Sequence, residues 1–70
     1  MKAILEPPIK HLGLIPEFRA KVLAAFENKQ GETFRVYWKP YGWIRFVLDS
    51  HGNYKGFLES NISETVQVGF

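Results

Sequence analysis

Asp49, Ser50 and His51 are the three side-chain types of a hydrolytic triad, and they stand side by side in the chain. A working triad needs nucleophile, base and orienting carboxylate to converge so that each hydrogen-bonds the next. Neighbours in a tight turn do not converge in that way. Gly52 follows, and Asp, Ser and Gly are ordinary turn formers, so this run is expected to be a turn between strands. His11 stands alone in an apolar connector and reads as a packing or surface residue. The seven carboxylates are scattered without metal-ligand spacing, and no Gly-rich phosphate loop is present. Asn61-Ile62-Ser63 fits the glycosylation sequon, but reads as a chance match in a chain without a signal peptide. The expectation is that no residue is catalytic, that no metal or cofactor is held, and that the chain is not an enzyme.

The chemistry that the sequence does offer is recognition. Between Phe34 and Phe46, six residues are aromatic, and Arg35, Lys39 and Arg45 lie among them. Alternation puts Phe34, Val36 and Trp38 on one face of a strand, and Arg35, Tyr37 and Lys39 on the other. In the next strand Ile44, Phe46 and Leu48 continue the apolar face, leaving Trp43, Arg45 and Val47 opposite. A third strand adds Lys55, Phe57 and Glu59 to the aromatic-basic side, with Asp49 and Glu59 near its rim. The expected partner-binding residues are Arg35, Tyr37, Lys39, Tyr41, Trp43, Arg45, Lys55 and Phe57.

A scaffold must hold these residues in place. Strands are expected over residues 33–39, 43–49 and 53–59, joined as an antiparallel meander. A three-residue loop, Pro40-Tyr41-Gly42, keeps the apolar set together. It pairs Lys39 with Trp43, Trp38 with Ile44, Val36 with Phe46 and Phe34 with Leu48, and it sets Tyr37 opposite Arg45. Pro40 suits the second position of a type I turn, and Gly42 the left-handed residue after it. The Asp49–Gly52 turn pairs Asn53 with Asp49, Tyr54 with Leu48, Gly56 with Phe46, Arg45 with Phe57 and Leu58 with Ile44. Trp38 is expected to be a large core residue.

Pro16 is suited to the first turn of a helix, where its missing N–H costs nothing. Ile15, Phe18, Val22, Ala25 and Phe26 then recur at helical spacing, and Gly31 suits the stop, which predicts a helix over residues 16–30. Residues 2–5 suit a short edge strand, 9–15 receive no assignment, and 65–70 alternate well enough to be a fourth strand. The fold class is therefore α+β, one N-terminal helix packed on a three- to four-stranded antiparallel β-meander, in a single domain over residues 1–70.

Bulk properties narrow the function. Nine Lys and Arg against seven Asp and Glu leave a net charge of +2, too small to indicate nucleic acid without local clustering. There is no cysteine, so disulfides and thiolate zinc sites are excluded. This fits a reducing cytoplasm. Ala3-Ile4-Leu5 is too short an apolar run for a signal-peptide core or a membrane span. A chain this short buries only about 60–65% of its unfolded surface, so oligomerisation or docking on a partner would support it. The expected function is a small non-enzymatic interaction module, of accessory or inhibitor type, that binds a protein partner or a second copy through the aromatic-basic face. The alternative is binding of single-stranded RNA or DNA on the same face, bases stacking on aromatics while Arg and Lys follow the phosphates.

Overall fold

The computed structural model describes residues 1–60. The chain begins with strand β1, Ala3–Leu5, and continues through a 3-10 helical segment, Lys10–Leu14, into helix α1, Pro16–Glu27. Strands β2 (Thr33–Trp38), β3 (Gly42–Leu48) and β4 (Tyr54–Leu58) follow as an antiparallel meander. The strand order is β1-β4-β3-β2. The fold is α+β, as the sequence pattern indicates.

One feature of the architecture departs from an all-antiparallel meander. The edge strand expected over residues 2–5 is present as β1, ahead of the helix, and is the fourth strand of the sheet. It pairs with β4 in parallel, Ala3 beside Tyr54, Ile4 beside Lys55 and Leu5 beside Gly56. Hydrogen bonds from Tyr54 N to Lys2 O and from Glu6 N to Gly56 O close the two ends of this short ladder. The strand expected over 65–70 lies outside the described residues.

Helix α1 is shorter than predicted. Pro16 occupies its first turn as expected. At the other end Asn28, not Gly31, ends the helix, its side-chain Nδ2 donating to Ala24 O at 2.9 Å. The Asn28 backbone N–H donates to the same carbonyl at 3.2 Å, while Lys29 N turns to Phe26 O at 3.3 Å, so the run of helical hydrogen bonds ends here. Phe18 and Val22 are buried, with Ile15, Ala25 and Phe26 packed around them, which is the stripe read from the spacing. The unassigned connector has structure as well. Ile9 and Leu12, three residues apart, fall on one side of the 3-10 segment, and both are buried.

The inner face of the sheet carries Phe34, Val36, Ile44, Phe46 and Tyr54 into the core against Phe18, Val22, Ile9 and Leu12. Phe46 stacks on Phe34, centroids 4.8 Å apart and planes 5° apart. Trp38 is only half-buried, its ring meeting Phe18 edge-on at 5.3 Å.

The β3–β4 register is the predicted one. The β2–β3 register is shifted from the prediction by two residues. Trp38 pairs with Gly42, Tyr37 with Trp43, Val36 with Ile44, Arg35 with Arg45 and Phe34 with Phe46. The loop is Lys39-Pro40-Tyr41, closed by Tyr41 N donating to Trp38 O at 2.8 Å. Pro40 takes the third position of this turn, in the cis form that position requires, rather than the second. Gly42 has the expected left-handed backbone, at φ 88°. A slip of two residues leaves every side chain on its own face, so the alternation survives while the cross-strand partners change.

The second turn is an Asx turn. The Asp49 carboxylate accepts the backbone N–H of His51 at 2.8 Å and of Asn53 at 2.9 Å through Oδ1. The Asn53 hydrogen bond, joined by that from His51 and the charges of His51 and Lys55, lowers the Asp49 pKa below its usual 3.8, against a smaller opposing effect of desolvation. A carboxylate whose folded pKa is depressed contributes stability that is present above the unfolded pKa and is lost as pH falls through the folded value. Acidification from about pH 6 to about pH 2 should therefore remove this contribution. Asp49→Asn should show a shallower loss of urea stability over the same range. An unchanged pH slope in the variant would show that Asp49 is not one of the linked groups.

Candidate binding face

The register builds the outer face in three rows. Thr33, Val47, Lys55 and Ile4 cross all four strands at one end. Arg35, Arg45 and Phe57 cross the middle. Tyr37 and Trp43 form the third row, and Glu59 follows directly after β4. Helix α1 packs on the other side of the sheet, where its buried residues join the core.

The middle row sets two arginines directly opposite each other, a repulsive pair in an otherwise neutral setting. Glu59 resolves it. Arg45 Nε donates to Glu59 Oε2 at 3.4 Å, and Arg35 Nε lies 3.6 Å from the same oxygen. The arginine side chains are 47% and 43% exposed, so each ion pair contributes only about 0–1 kcal/mol.

Arg35 has a second contact. Its guanidinium lies 4.0 Å from the centroid of the Trp43 ring, a cation–π arrangement. Tyr37 meets Trp43 edge-on at 5.3 Å, with the planes at 75°. Both aromatics are still more than two-fifths exposed. Phe57 and Val47 are half-buried, and Lys55 and Ile4 are exposed at the β4–β1 end. The face thus presents two mutually braced aromatic rings beside a pair of arginines that converge on one carboxylate.

Of the residues expected here, Arg35, Tyr37, Trp43, Arg45, Lys55 and Phe57 share this face. Lys39 is exposed in the hairpin loop beyond it. Tyr41 is turned away: it packs against the core cluster, and its hydroxyl lies 2.9 Å from His11 Nε2. The predicted contact between Tyr37 and Arg45 is replaced by Tyr37–Trp43 and Arg35–Arg45, a consequence of the two-residue shift. Ile4 joins the face through the parallel pairing of β1, which no local pattern in the sequence signals. Glu59, expected near the rim, sits on the arginine pair. No family model matches the chain. No curated protein and no solved structure matches it either.

The remaining features are of other kinds. His11 and Tyr41 form an exposed pair that ties the 3-10 segment to the β2–β3 loop. Asp49, Ser50 and His51 form the Asx turn described above, with the His51 backbone, not its ring, bonded to Asp49. A cavity of about 260 Å³ on the helix side is lined by Leu5, Gly13, Phe18, Arg19, Val22 and Phe46, together with Met1 and Ala3. It shares no residue with the outer face or with the His11–Tyr41 pair. Among the described residues, no group of three or more His, Cys, Asp or Glu is placed to hold a metal ion, and no helix is long and apolar enough to cross a membrane.

Proposed function

We propose that this protein is a small non-enzymatic interaction module that binds a protein partner through the outer face of its sheet. The observation that carries this reading is the braced Tyr37–Trp43 pair, held by Arg35 and left more than two-fifths exposed. Trp, Tyr and Arg are the residues that dominate interface energetics. Side chains already fixed by their neighbours lose less conformational freedom on binding, which favours association.

Single-stranded nucleic acid is the competing reading, and the same geometry argues against it. A base that stacks on Trp43 needs a free indole face, and Arg35 occupies one of the two. A phosphate that approaches the arginine pair meets the carboxylate of Glu59.

Binding to single-stranded oligonucleotides at two salt concentrations, alongside capture from the native lysate, separates the readings. A protein interface predicts that Trp43→Ala abolishes capture of one discrete partner and that salt has only a modest effect. Nucleic-acid binding through about four phosphate contacts predicts a log–log salt slope near −3, with a loss of about 1–3 kcal/mol in Trp43→Ala. If Trp43→Ala and Arg45→Ala both leave capture and oligonucleotide binding unchanged, the face is surface decoration and the proposal is wrong.

A further inference from the structure

Resting on the protein-binding reading above, we infer that the partner presents an acidic peptide segment with an apolar anchor, and that Glu59 is an internal competitor for its carboxylate. The register places Arg35 and Arg45 opposite each other, and both Nε groups turn to one oxygen of Glu59. The two guanidiniums thus already converge on a carboxylate within the chain.

Each guanidinium carries five donors, and the contacts to Glu59 use Nε alone. Both arginine side chains remain nearly half exposed, so the terminal nitrogens are accessible to a second carboxylate or to one that replaces Glu59. Exchange is energetically easy, because an exposed ion pair of this kind is weak. Among the described residues, the charges around the aromatic pair favour an acidic visitor: Arg35, Arg45 and Lys55 stand on the face, with Lys39 beyond its end, against Glu59 and, at the Lys55 end, Asp49. Trp43 and Tyr37, immediately beside the arginines, supply the apolar contact that an aromatic or aliphatic side chain next to the carboxylate would fill.

A second copy of the chain is a poorer occupant. An isologous pairing of this face would bring its surplus of positive charge against itself.

The test uses the full chain, immobilised and challenged with a phage-displayed library of random linear peptides. Selected sequences should be enriched in Asp or Glu beside aromatic or aliphatic residues. A synthetic peptide of the selected sequence, followed by fluorescence anisotropy, should bind at least about ten-fold more weakly to Arg35→Gln and to Arg45→Gln. It should bind about two- to five-fold more tightly to Glu59→Gln, the factor expected from releasing an exposed ion pair. Lys21→Gln, on the exposed side of the helix, should leave binding unchanged, and circular dichroism confirms that each variant is folded.

Peptides that need Trp43 but carry no acidic residue would overturn this inference and leave the protein-binding reading standing. Weaker binding to Glu59→Gln would overturn the role of Glu59 as competitor. Failure to select any peptide whose binding depends on Trp43 would overturn this inference, while capture from the lysate decides the protein-binding reading separately. Self-association that is lost in Trp43→Ala, measured by sedimentation equilibrium, would assign the face to a second copy instead. Tighter, Trp43-dependent binding of polyuridylate would assign it to nucleic acid.

Discussion

Phe46→Ala is expected to lower the unfolding free energy by about 3–5 kcal/mol, the cost of truncating a fully buried phenylalanine. Phe46 has no exposed surface, stacks flat on Phe34, and lies on β3, which is hydrogen-bonded on both sides. Its removal leaves a void at the centre of the only sheet among the described residues, where neither neighbouring strand can close in without losing its register. A domain of this size has a total stability toward the low end of about 5–15 kcal/mol, so the variant should be largely unfolded near physiological temperature. Urea denaturation followed by tryptophan fluorescence measures the change. A loss of less than about 1 kcal/mol would mean that the core collapses around the gap far better than a close-packed interior normally does. Trp38→Ala should cost less than Phe46→Ala, because Trp38 is half-buried at the end of the core rather than inside it. Trp43→Ala, on the outer face, should cost about 1 kcal/mol from its lost aromatic and cation–π contacts. That difference allows the binding experiments to be read without a folding artefact.

Gly56→Ala carries the second large effect. A Cβ at this position would lie 2.6 Å from Phe46 Cε2 and 2.9 Å from Leu5 Cδ2. Alanine in place of glycine ordinarily stabilises by about 0.4–1 kcal/mol through the unfolded chain. Here overpacking of about 1–3 kcal/mol should outweigh it, with Gly56→Val at the upper end. Phe46 is fully enclosed and cannot swing aside, whereas Leu5 is on an edge strand of the sheet. The double variant Gly56→Ala with Leu5→Ala should therefore be less destabilised than the sum of the single changes, which is the signature of residues in contact. A neutral or stabilising Gly56→Ala would show that Phe46 and Leu5 yield without cost.

The same contact illustrates how much the sequence alone conveys. Opposing Phe46 to Gly56 follows from the Asp49–Gly52 turn, whose chemistry leaves one sensible β3–β4 register. The helical stripe from Ile15 to Phe26 and the two faces of the meander are likewise readable, because burial repeats at helical spacing in one and at every second residue in the other. This alternation marks the six outer-face residues Arg35, Tyr37, Trp43, Arg45, Lys55 and Phe57.

The alternation reaches its limit at the β2–β3 hairpin. A period of two determines register only to within two residues, so Phe34 opposite Leu48 and Phe34 opposite Phe46 satisfy the same pattern. The turn over Lys39 and Pro40 makes the choice, and it turns Tyr37 from a neighbour of Arg45 into a neighbour of Trp43. The parallel pairing of β1 with β4 joins segments about fifty residues apart, and no local periodicity encodes so distant a partner. It nevertheless adds Ile4 to the outer face. The position of Glu59 over two arginines depends on both events at once, the register of one hairpin and the direction of the chain as it leaves the next. Sequence determined which side chains face outward, because facing is set by local period. Across the β2–β3 hairpin and the β1–β4 pairing, only the tertiary structure decided which of them meet, because meeting there is set by the turn and by a pairing between distant segments.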